Sequence, residues 1–321
     1  MERILTQLLK NDTVSGQALS EKLGVTRAAV WKQIEQLRQQ GFVIESLGRQ
    51  GYRLVECPDS LMAPVVRQGL DTSWAGREIV YLRSVDSTNR YARQLAQEGA
   101  AHGTLVLADE QTAGRGRRGR GWISPAGESI YMTLILRPQA HPSQVAQLSL
   151  ATALAVAQGI TRSCGVEARI KWPNDIVCQG RKVCGMLLEM NADEQSVHDV
   201  VAGIGINVHP GAVSEEIAET AGALDVLCGR TLRRAEIVRG FLRAFEEVDA
   251  LMADGEAFMR AYCEHSATLG RRVQVIGLNG SFIGTALGVT GSGALIVEDE
   301  QGKRHEVLAA DVSVRGLMGY V

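Results

Sequence analysis

Long apolar runs are missing. No stretch of the 321 residues approaches the roughly 18 uncharged apolar positions that a membrane span needs, so no membrane association is expected. The opening Met1-Glu2-Arg3-Ile4-Leu5 lacks the basic patch and apolar stretch of a secretory leader. The six cysteines never form Cys-x-x-Cys, and no histidines fall at metal-finger spacing. They read as small core residues or free thiols of a reducing compartment, so a cytoplasmic chain without a structural metal is expected. Aromatic residues are scarce at 5%. A dominant charge is missing too: the net charge of -2 exerts no global pull on nucleic acid, so any such affinity must be local. Residues 1–56 carry eight Lys/Arg against six Asp/Glu, an excess too small to decide anything alone.

What remains is an ordinary soluble composition, 45% apolar and 22% charged, with 35 glycines that signal turns and backbone-lined sites. The length is about twice that of a single domain, so two or three domains are expected. In the first fifty residues, Ile4, Leu5, Leu8 and Leu9 recur at helical spacing. Ser15 can cap a second helix carrying Leu19 and Leu23. Gly24 breaks it, and Thr26 can cap a third with Val30, Ile34 and Leu37. Val43-Ile44-Glu45 and Tyr52-Arg53-Leu54 then flank Gly48-Arg49-Gln50-Gly51 as a hairpin, and Cys57-Pro58-Asp59-Ser60 reads as a linker.

From about residue 78 to 265 strands and helices alternate. Strands are expected at 79–82, 104–107, 129–136, 182–189 and 200–208. Asp86-Ser87-Thr88 can cap a helix over 89–97. Pro142 and Ser143 can open an alanine-rich helix ending at Gly159, and 232–252 is helical again. After Gly270 short apolar runs alternate with glycine turns, at 272–276, 281–286, 294–297 and 311–314, the pattern of a small β-barrel.

Three features carry chemistry. The first is the helix-turn-helix spacing of residues 15–36, in which the second helix enters the DNA major groove. Gly16, Thr26, Arg27, Ala28 and Lys32 are its candidate DNA contacts, with Arg49 on the hairpin as a wing. The bland alternative is a three-helix packing unit with solvated arginines. Weak phosphate attraction per chain favours a dimer reading two half-sites.

The second is Gln111-Thr112-Ala113-Gly114-Arg115-Gly116-Arg117-Arg118-Gly119-Arg120-Gly121-Trp122. Four arginines interleaved with glycine cannot pack into a core, and each guanidinium forks onto carboxylate or phosphate oxygens. Gly114-x4-Gly119 is followed by Arg-Gly where a P-loop requires Lys and Ser/Thr, so that motif is excluded. A solvated basic loop, a nucleic-acid-binding segment and a mobile lid over an anionic small molecule compete. The lid is favoured because the segment lies between two strands.

The third is a set of polar groups among buried strands. Lys171 and Trp172, before Pro173-Asn174-Asp175, suit a nucleotide's phosphates and base, against an ordinary Asn-Asp turn. Lys182 heads an otherwise apolar strand, as a solvated end or as a cation aimed at a ligand. Asn207 ends Gly203-Ile204-Gly205-Ile206, with a structural hydrogen bond or an adenine contact as its alternatives. The absence of a third glycine excludes a dinucleotide fingerprint.

Together Ser87-Thr88-Asn89, Gln111 through Trp122, Lys171 through Asp175, Arg181-Lys182-Val183-Cys184-Gly185 and Gly203 through Asn207 resemble the bifunctional bacterial biotin–protein ligases that also repress the biotin operon. The resemblance spans essentially the whole chain. One departure is Gly48-Arg49-Gln50-Gly51, where Gly-Lys-Gly is more usual in the wing. The resemblance implies a winged helix-turn-helix over 1–60 and a central α/β domain with a mixed, class II synthetase-like sheet over 61–268. It also implies an SH3-like β-barrel over 269–321. The implied reaction activates biotin with ATP and Mg²⁺ to biotinyl-5′-AMP, then transfers biotin to a lysine of a biotin carboxyl carrier protein, such as that of acetyl-CoA carboxylase. Carried over by position, Ser87, Thr88, Asn89, Gln111, Arg115, Gly116, Arg117 and Lys182 hold biotin, Lys182 and Arg117 being catalytic. Arg120, Trp122, Asn174, Asp175 and Asn207 face the nucleotide, Trp122 stacking on adenine. The metal ligands stay unassigned. An adenylate-bound homodimer on operator DNA is implied as well. Two rivals remain open: a non-catalytic biotin-sensing regulator, and a ligase for lipoate or octanoate.

Overall fold

The computed structural model describes residues 1–321 apart from 140, 143–144, 278–279, 310–311 and 317–321. The chain forms two compact units.

The first unit comprises residues 1–70 and 233–235. Helices α1 (Glu2–Lys10), α2 (Gly16–Leu23) and α3 (Arg27–Gln39) bury the expected stripes, with Ile4, Leu5, Leu19, Ile34 and Leu37 at 0% exposure. The caps follow the sequence signals. Ser15 Oγ accepts the Ala18 N–H at 3.0 Å, and Thr26 Oγ1 accepts that of Ala29 at 3.2 Å. Gly24 closes α2 in the left-handed region at φ 65°, giving the tight turn between α2 and α3. Strands β1 (Val43–Ser46) and β2 (Tyr52–Glu56) pair antiparallel as a hairpin. Val14 and Tyr52 exchange backbone hydrogen bonds of 2.9 Å in both directions, tying the hairpin to the start of α2. Gly51 permits this: a Cβ there would stand 2.1 Å from the Val14 carbonyl oxygen. A short helix, α4 (Ala63–Arg67), is buried against α1.

The second unit contains a seven-stranded mixed sheet. Its elements in chain order begin with β3 (Ile79–Leu82), α5 (Thr88–Gln97), β4 (Leu105–Ala108), β5 (Ser129–Leu136), α6 (Val145–Cys164) and β6 (Ala168–Lys171). They continue with β7 (Asp175–Cys178), β8 (Arg181–Ala192), β9 (Val197–Asn207), α7 (Leu224–Cys228), α8 (Arg234–Leu251) and α9 (Gly255–Glu264). The strand order is β3-β4-β5-β9-β8-β7-β6, with β3 and β4 parallel and every other pairing antiparallel. Every residue of β5, inside the sheet between β4 and β9, is buried.

Two helix expectations need correction. Helix α5 begins at Thr88, and Ser87 at its N-cap makes no side-chain capping bond. Helix α6 runs through Gly159 to Cys164. Gly159 is a packing point: a Cβ there would lie 2.8 Å from the Phe241 backbone of α8, so the glycine admits a close helix crossing where its lack of helix propensity suggested an end. Ser143, expected at the start of α6, lies outside the described residues.

The C-terminal part of this unit is a five-stranded antiparallel sheet of β10 (Arg272–Gly277), β11 (Gly280–Val289), β12 (Leu295–Asp299), β13 (Arg304–Val307) and β14 (Val312–Gly316), in the order β13-β12-β11-β10-β14. Asp311, expected in the last strand, lies outside the described residues. The core of this sheet contains Val273, Val275, Leu295 and Val297 together with Trp172. Trp172 is 1% exposed, and its indole N–H donates to the Gly293 carbonyl at 3.1 Å. It is therefore a core residue, and the nucleotide-base role suggested by its neighbours is withdrawn.

Candidate functional site

A cavity of about 830 Å³ opens in the second unit. Every residue assigned from sequence to biotin or to the nucleotide lines it. Its described lining carries six cationic side chains (Arg115, Arg117, Arg118, Arg120, Lys171 and Lys182) against the carboxylates of Asp175 and Glu219. That excess selects an anionic ligand.

One end of the cavity is neutral and closed by hydrogen bonds. The start of α5 brings Thr88 and Asn89 against β5 and the β8–β9 pair. Gln111 Oε1 accepts both the Thr88 N–H at 2.9 Å and the Thr88 hydroxyl at 3.0 Å. Thr133, at 0% exposure on β5, lies 2.9 Å from Thr88 Oγ1 and 2.8 Å from Asn89 Oδ1. Asn89 Nδ2 donates to the Leu187 carbonyl at 3.1 Å and to Glu189 Oε2 at 2.9 Å. Both amide hydrogens of Asn89 are thus committed inside the protein. Gly203 makes room for it, since a Cβ there would fall 2.0 Å from Asn89 Oδ1. Thr133 and Glu189 were not anticipated; neither has a sequence signature beyond a polar residue in an apolar strand.

The other end is cationic. Residues 114–122 fold into a turn of their own. The Gly116 N–H donates to the Arg120 carbonyl at 2.8 Å and the Trp122 N–H to that of Gly114 at 2.9 Å. Arg115 and Gly121 form a bridge, and Arg118 takes φ 56°. Arg117 reaches out of this turn. Its guanidinium donates to Asn174 Oδ1 at 3.0 Å and also to the Ala309 carbonyl. Burial pulls its pKa below the usual arginine value, and Arg118 adds to the effect while Asp175 opposes it. An arginine starts so high that the group stays cationic. Asn174 is held in turn by donating to the Met186 carbonyl at 2.9 Å.

Lys182 lies beside β7, its ammonium 2.7 Å from Asp175 Oδ1 and 5.3 Å from the centre of the Trp122 ring. The indole rests on two glycines that face each other across β8 and β9, Gly185 and Gly205. A Cβ on either would come within 2.8 Å of the Trp122 ring (2.8 Å from Gly185, 2.7 Å from Gly205). Asn207, at the end of β9, is 5% exposed. The backbone of Lys182 is anchored separately, its N–H donating to the Thr220 carbonyl at 2.8 Å. The arrangement can hold a flat or elongated molecule bearing a carboxylate and phosphates, with the charged groups at the cationic end.

The chain is similar to known ligases. The chain is 40% identical to the bifunctional ligase/repressor BirA of Bacillus subtilis (strain 168), covering 95% of this chain and 94% of that protein. It is 29% identical to the corresponding BirA of Escherichia coli (strain K12), over 93% and 92% of the two chains. The chain belongs to the bifunctional biotin protein ligases. Within this ligase, residues 81–207 match the biotin/lipoate A/B protein ligase family, residues 1–53 an HTH domain, and residues 268–315 the biotin protein ligase C terminal domain. The biotin protein ligase of Aquifex aeolicus, solved in complex with biotin and ATP, superposes with a TM-score of 0.64 at 29% identity. The match covers 75% of this chain and 99% of that one.

In the helix-turn-helix unit, Thr26, Arg27, Ala28 and Lys32 are exposed on α3 or at its cap, and Arg49 is exposed on the hairpin. Gly16, half-buried in the first turn of α2, leaves a Cβ position 3.5 Å from the Tyr52 ring. Trp31, on α3, is 57% exposed. Among the described residues no helix is long and apolar enough to cross a membrane.

Proposed function

We propose that this chain joins biotin to ATP, forming biotinyl-5′-AMP and pyrophosphate, and transfers the biotinyl group to a lysine of a biotin carboxyl carrier protein. The adenylate-bound form represses biotin-biosynthesis genes from operator DNA. The observation that carries this reading is the meeting, in one cavity, of a neutral polar end with a cluster of cations around Lys182 and Arg117.

In the first step an oxygen of the biotin carboxylate attacks the α-phosphorus of ATP, and the bond to the bridging oxygen breaks as pyrophosphate leaves. In the second, the neutral ε-amine of the carrier lysine attacks the acyl carbon and AMP departs with the electron pair. Both nucleophiles are substrates. The protein's task is to overcome repulsion between a carboxylate and a triphosphate and to align them. Lys182 and Arg117 are the catalytic cations, one steadied by Asp175 and the other by Asn174. Ser87, Thr88, Gln111, Arg115 and Gly116 hold biotin and its carboxyl group. Asn89, its amide hydrogens already used, shapes that end. Arg120, Asn174, Asp175 and Asn207 take the nucleotide, and Trp122 stacks on adenine. A closed arginine loop keeps water from the anhydride.

Magnesium usually keeps several waters and binds through one or two carboxylates plus substrate phosphates; of the two carboxylates in the described lining of the cavity, Asp175 and Glu219, Asp175 is the one among the nucleotide-facing residues. Bound there, it would supply neutralising charge.

Residues 1–60 act as a winged helix-turn-helix, with Gly16, Thr26, Arg27, Ala28, Lys32 and Arg49 on the DNA. Residues 61–268 form the class II synthetase-like catalytic domain, and residues 269–321 an SH3-like barrel. The adenylate favours a cytoplasmic homodimer that reads paired half-sites, and carrier protein competes with that dimer. The decisive measurement is isotope exchange between pyrophosphate and ATP. Biotin is expected to support exchange and lipoate or octanoate not; exchange supported by lipoate alone, or by neither acid, would overturn the reading.

A further inference from the structure

We infer that Ser124, a residue behind the cavity wall, is a positioning residue that couples the biotin-binding end to closure of the arginine loop; the inference rests on the ligase reading above. Ser124 is 7% exposed and sits just beyond the C-terminal root of the loop. Its hydroxyl works in two directions. It accepts Gln111 Nε2 at 3.1 Å and donates to the Trp122 carbonyl at 3.0 Å. The Ser124 backbone carbonyl also accepts the Gln111 N–H at 3.3 Å.

Gln111 in turn spends its Oε1 on the backbone and hydroxyl of Thr88. A continuous path therefore runs from Asn89 through Thr133, Thr88, Gln111 and Ser124 to Trp122. At its far end the Trp122 N–H reaches Gly114, the loop's other root. Gly114 fits only because it lacks a side chain: a Cβ would stand 2.7 Å from Ser124 Oγ and 2.5 Å from the Trp122 carbonyl oxygen. Both roots of the loop thus converge on one hydroxyl.

The physical consequence is directional. A ligand that fixes Thr88 and Gln111 orients Gln111 Nε2, which leaves the Ser124 proton pointing at Trp122. This locks the base of the loop in the arrangement that carries Arg117 to Asn174. Without the hydroxyl, Gln111 Nε2 and the Trp122 carbonyl each lose a buried partner, and the loop root loses its link to the ligand.

The test uses the full-length protein and its Ser124→Ala variant. Release of preformed biotinyl-5′-AMP is expected to accelerate roughly tenfold, the scale of one buried hydrogen bond lost. Biotin's Kd without nucleotide should move by less than about threefold, because Thr88 and Gln111 keep their mutual bonds. Arg117→Gly supplies the second leg of a double-mutant cycle. If Ser124 acts through the loop, the two substitutions together accelerate release by clearly less than the product of their separate effects. An unchanged release rate, strictly multiplicative effects, or an equal loss of biotin affinity and adenylate retention would each overturn the inference. Thermal unfolding of Ser124→Ala distinguishes a general loosening, which also overturns it. Failure of the unaltered chain to exchange pyrophosphate in the presence of biotin would instead remove the ligase reading, and this inference with it.

Discussion

The two ends of the cavity solve opposite electrostatic problems. At the Thr88 end neutral hydroxyls and amides saturate one another, so few hydrogen-bonding groups are left to choose and their geometry is set before a ligand arrives. At the Lys182 end cations outnumber carboxylates; four of them sit on a glycine-rich turn held through Arg117 on Asn174, and Lys182 is held by Asp175. A saturated network discriminates by shape and by a small number of hydrogen bonds, because any mismatch strands a buried partner. A cationic cluster on a loop accelerates chemistry by supplying charge where it develops, and it tolerates more variation in ligand shape. The difference teaches that specificity and rate are housed apart here, with the Gln111–Ser124 path linking them.

That separation can be broken from the cationic side first. Lys182→Ala is expected to lower the rate of adenylate formation about 100-fold or more while biotin's Kd changes little, as read by pyrophosphate exchange and calorimetry. A fall in affinity as large as the fall in rate would show that the two ends are one device. From the neutral side, Thr133→Val keeps the shape of a fully buried side chain and deletes its hydroxyl. Biotin affinity should weaken roughly tenfold, with the rate at saturating biotin nearly intact. The reverse split would assign Thr133 to chemistry.

The smallest effect sharpens the comparison by lying outside the cavity. Glu246 accepts the N–H groups of Ser73, Trp74 and Ala75 at 2.6–2.8 Å. Burial would raise its pKa, but these donors, helped by Arg77, outweigh it and hold the carboxyl below its ordinary 4.5. A depressed carboxylate contributes stability above its unfolded pKa and loses it as pH falls through the folded value. Glu246→Gln should therefore destabilise the chain by about 1–2 kcal/mol at neutral pH, discounted for its partial exposure. The gap to the unaltered protein should close below about pH 4.5, in denaturant titrations at several pH values. Neither biotin affinity nor exchange should change.

How much was legible in the sequence depended on whether the signal was local. Strand β3 is an unbroken apolar run and strand β5 a mostly apolar one, each bounded by charged residues, and both were read with the bounds observed. The caps at Ser15 and Thr26 and the turn at Gly24 are likewise local, and they located α2 and α3. Strand β13 escaped because Arg304-His305-Glu306 gives an edge strand almost no apolar pattern. Gly159 and Trp172 misled for the opposite reason: each answers to a neighbour far away in sequence, Phe241 for one and the C-terminal sheet for the other. At the site, arginine–glycine alternation marked the loop because no core can absorb it. Thr133, Glu189 and Ser124 stayed hidden, since a single hydroxyl or carboxylate declares its role only through partners that the folded sheet supplies.

The facing pair Gly185 and Gly205 has one more outcome. Because the Trp122 ring rests on bare backbone with the Lys182 ammonium 5.3 Å from its centre, its ultraviolet emission should change when the turn lifts away. Of the other three tryptophans, Trp172 is sealed in the core and adds only a steady background, so a chain carrying both Trp31→Phe and Trp74→Phe would hold its own optical gauge of how tightly the flap sits, with no dye attached.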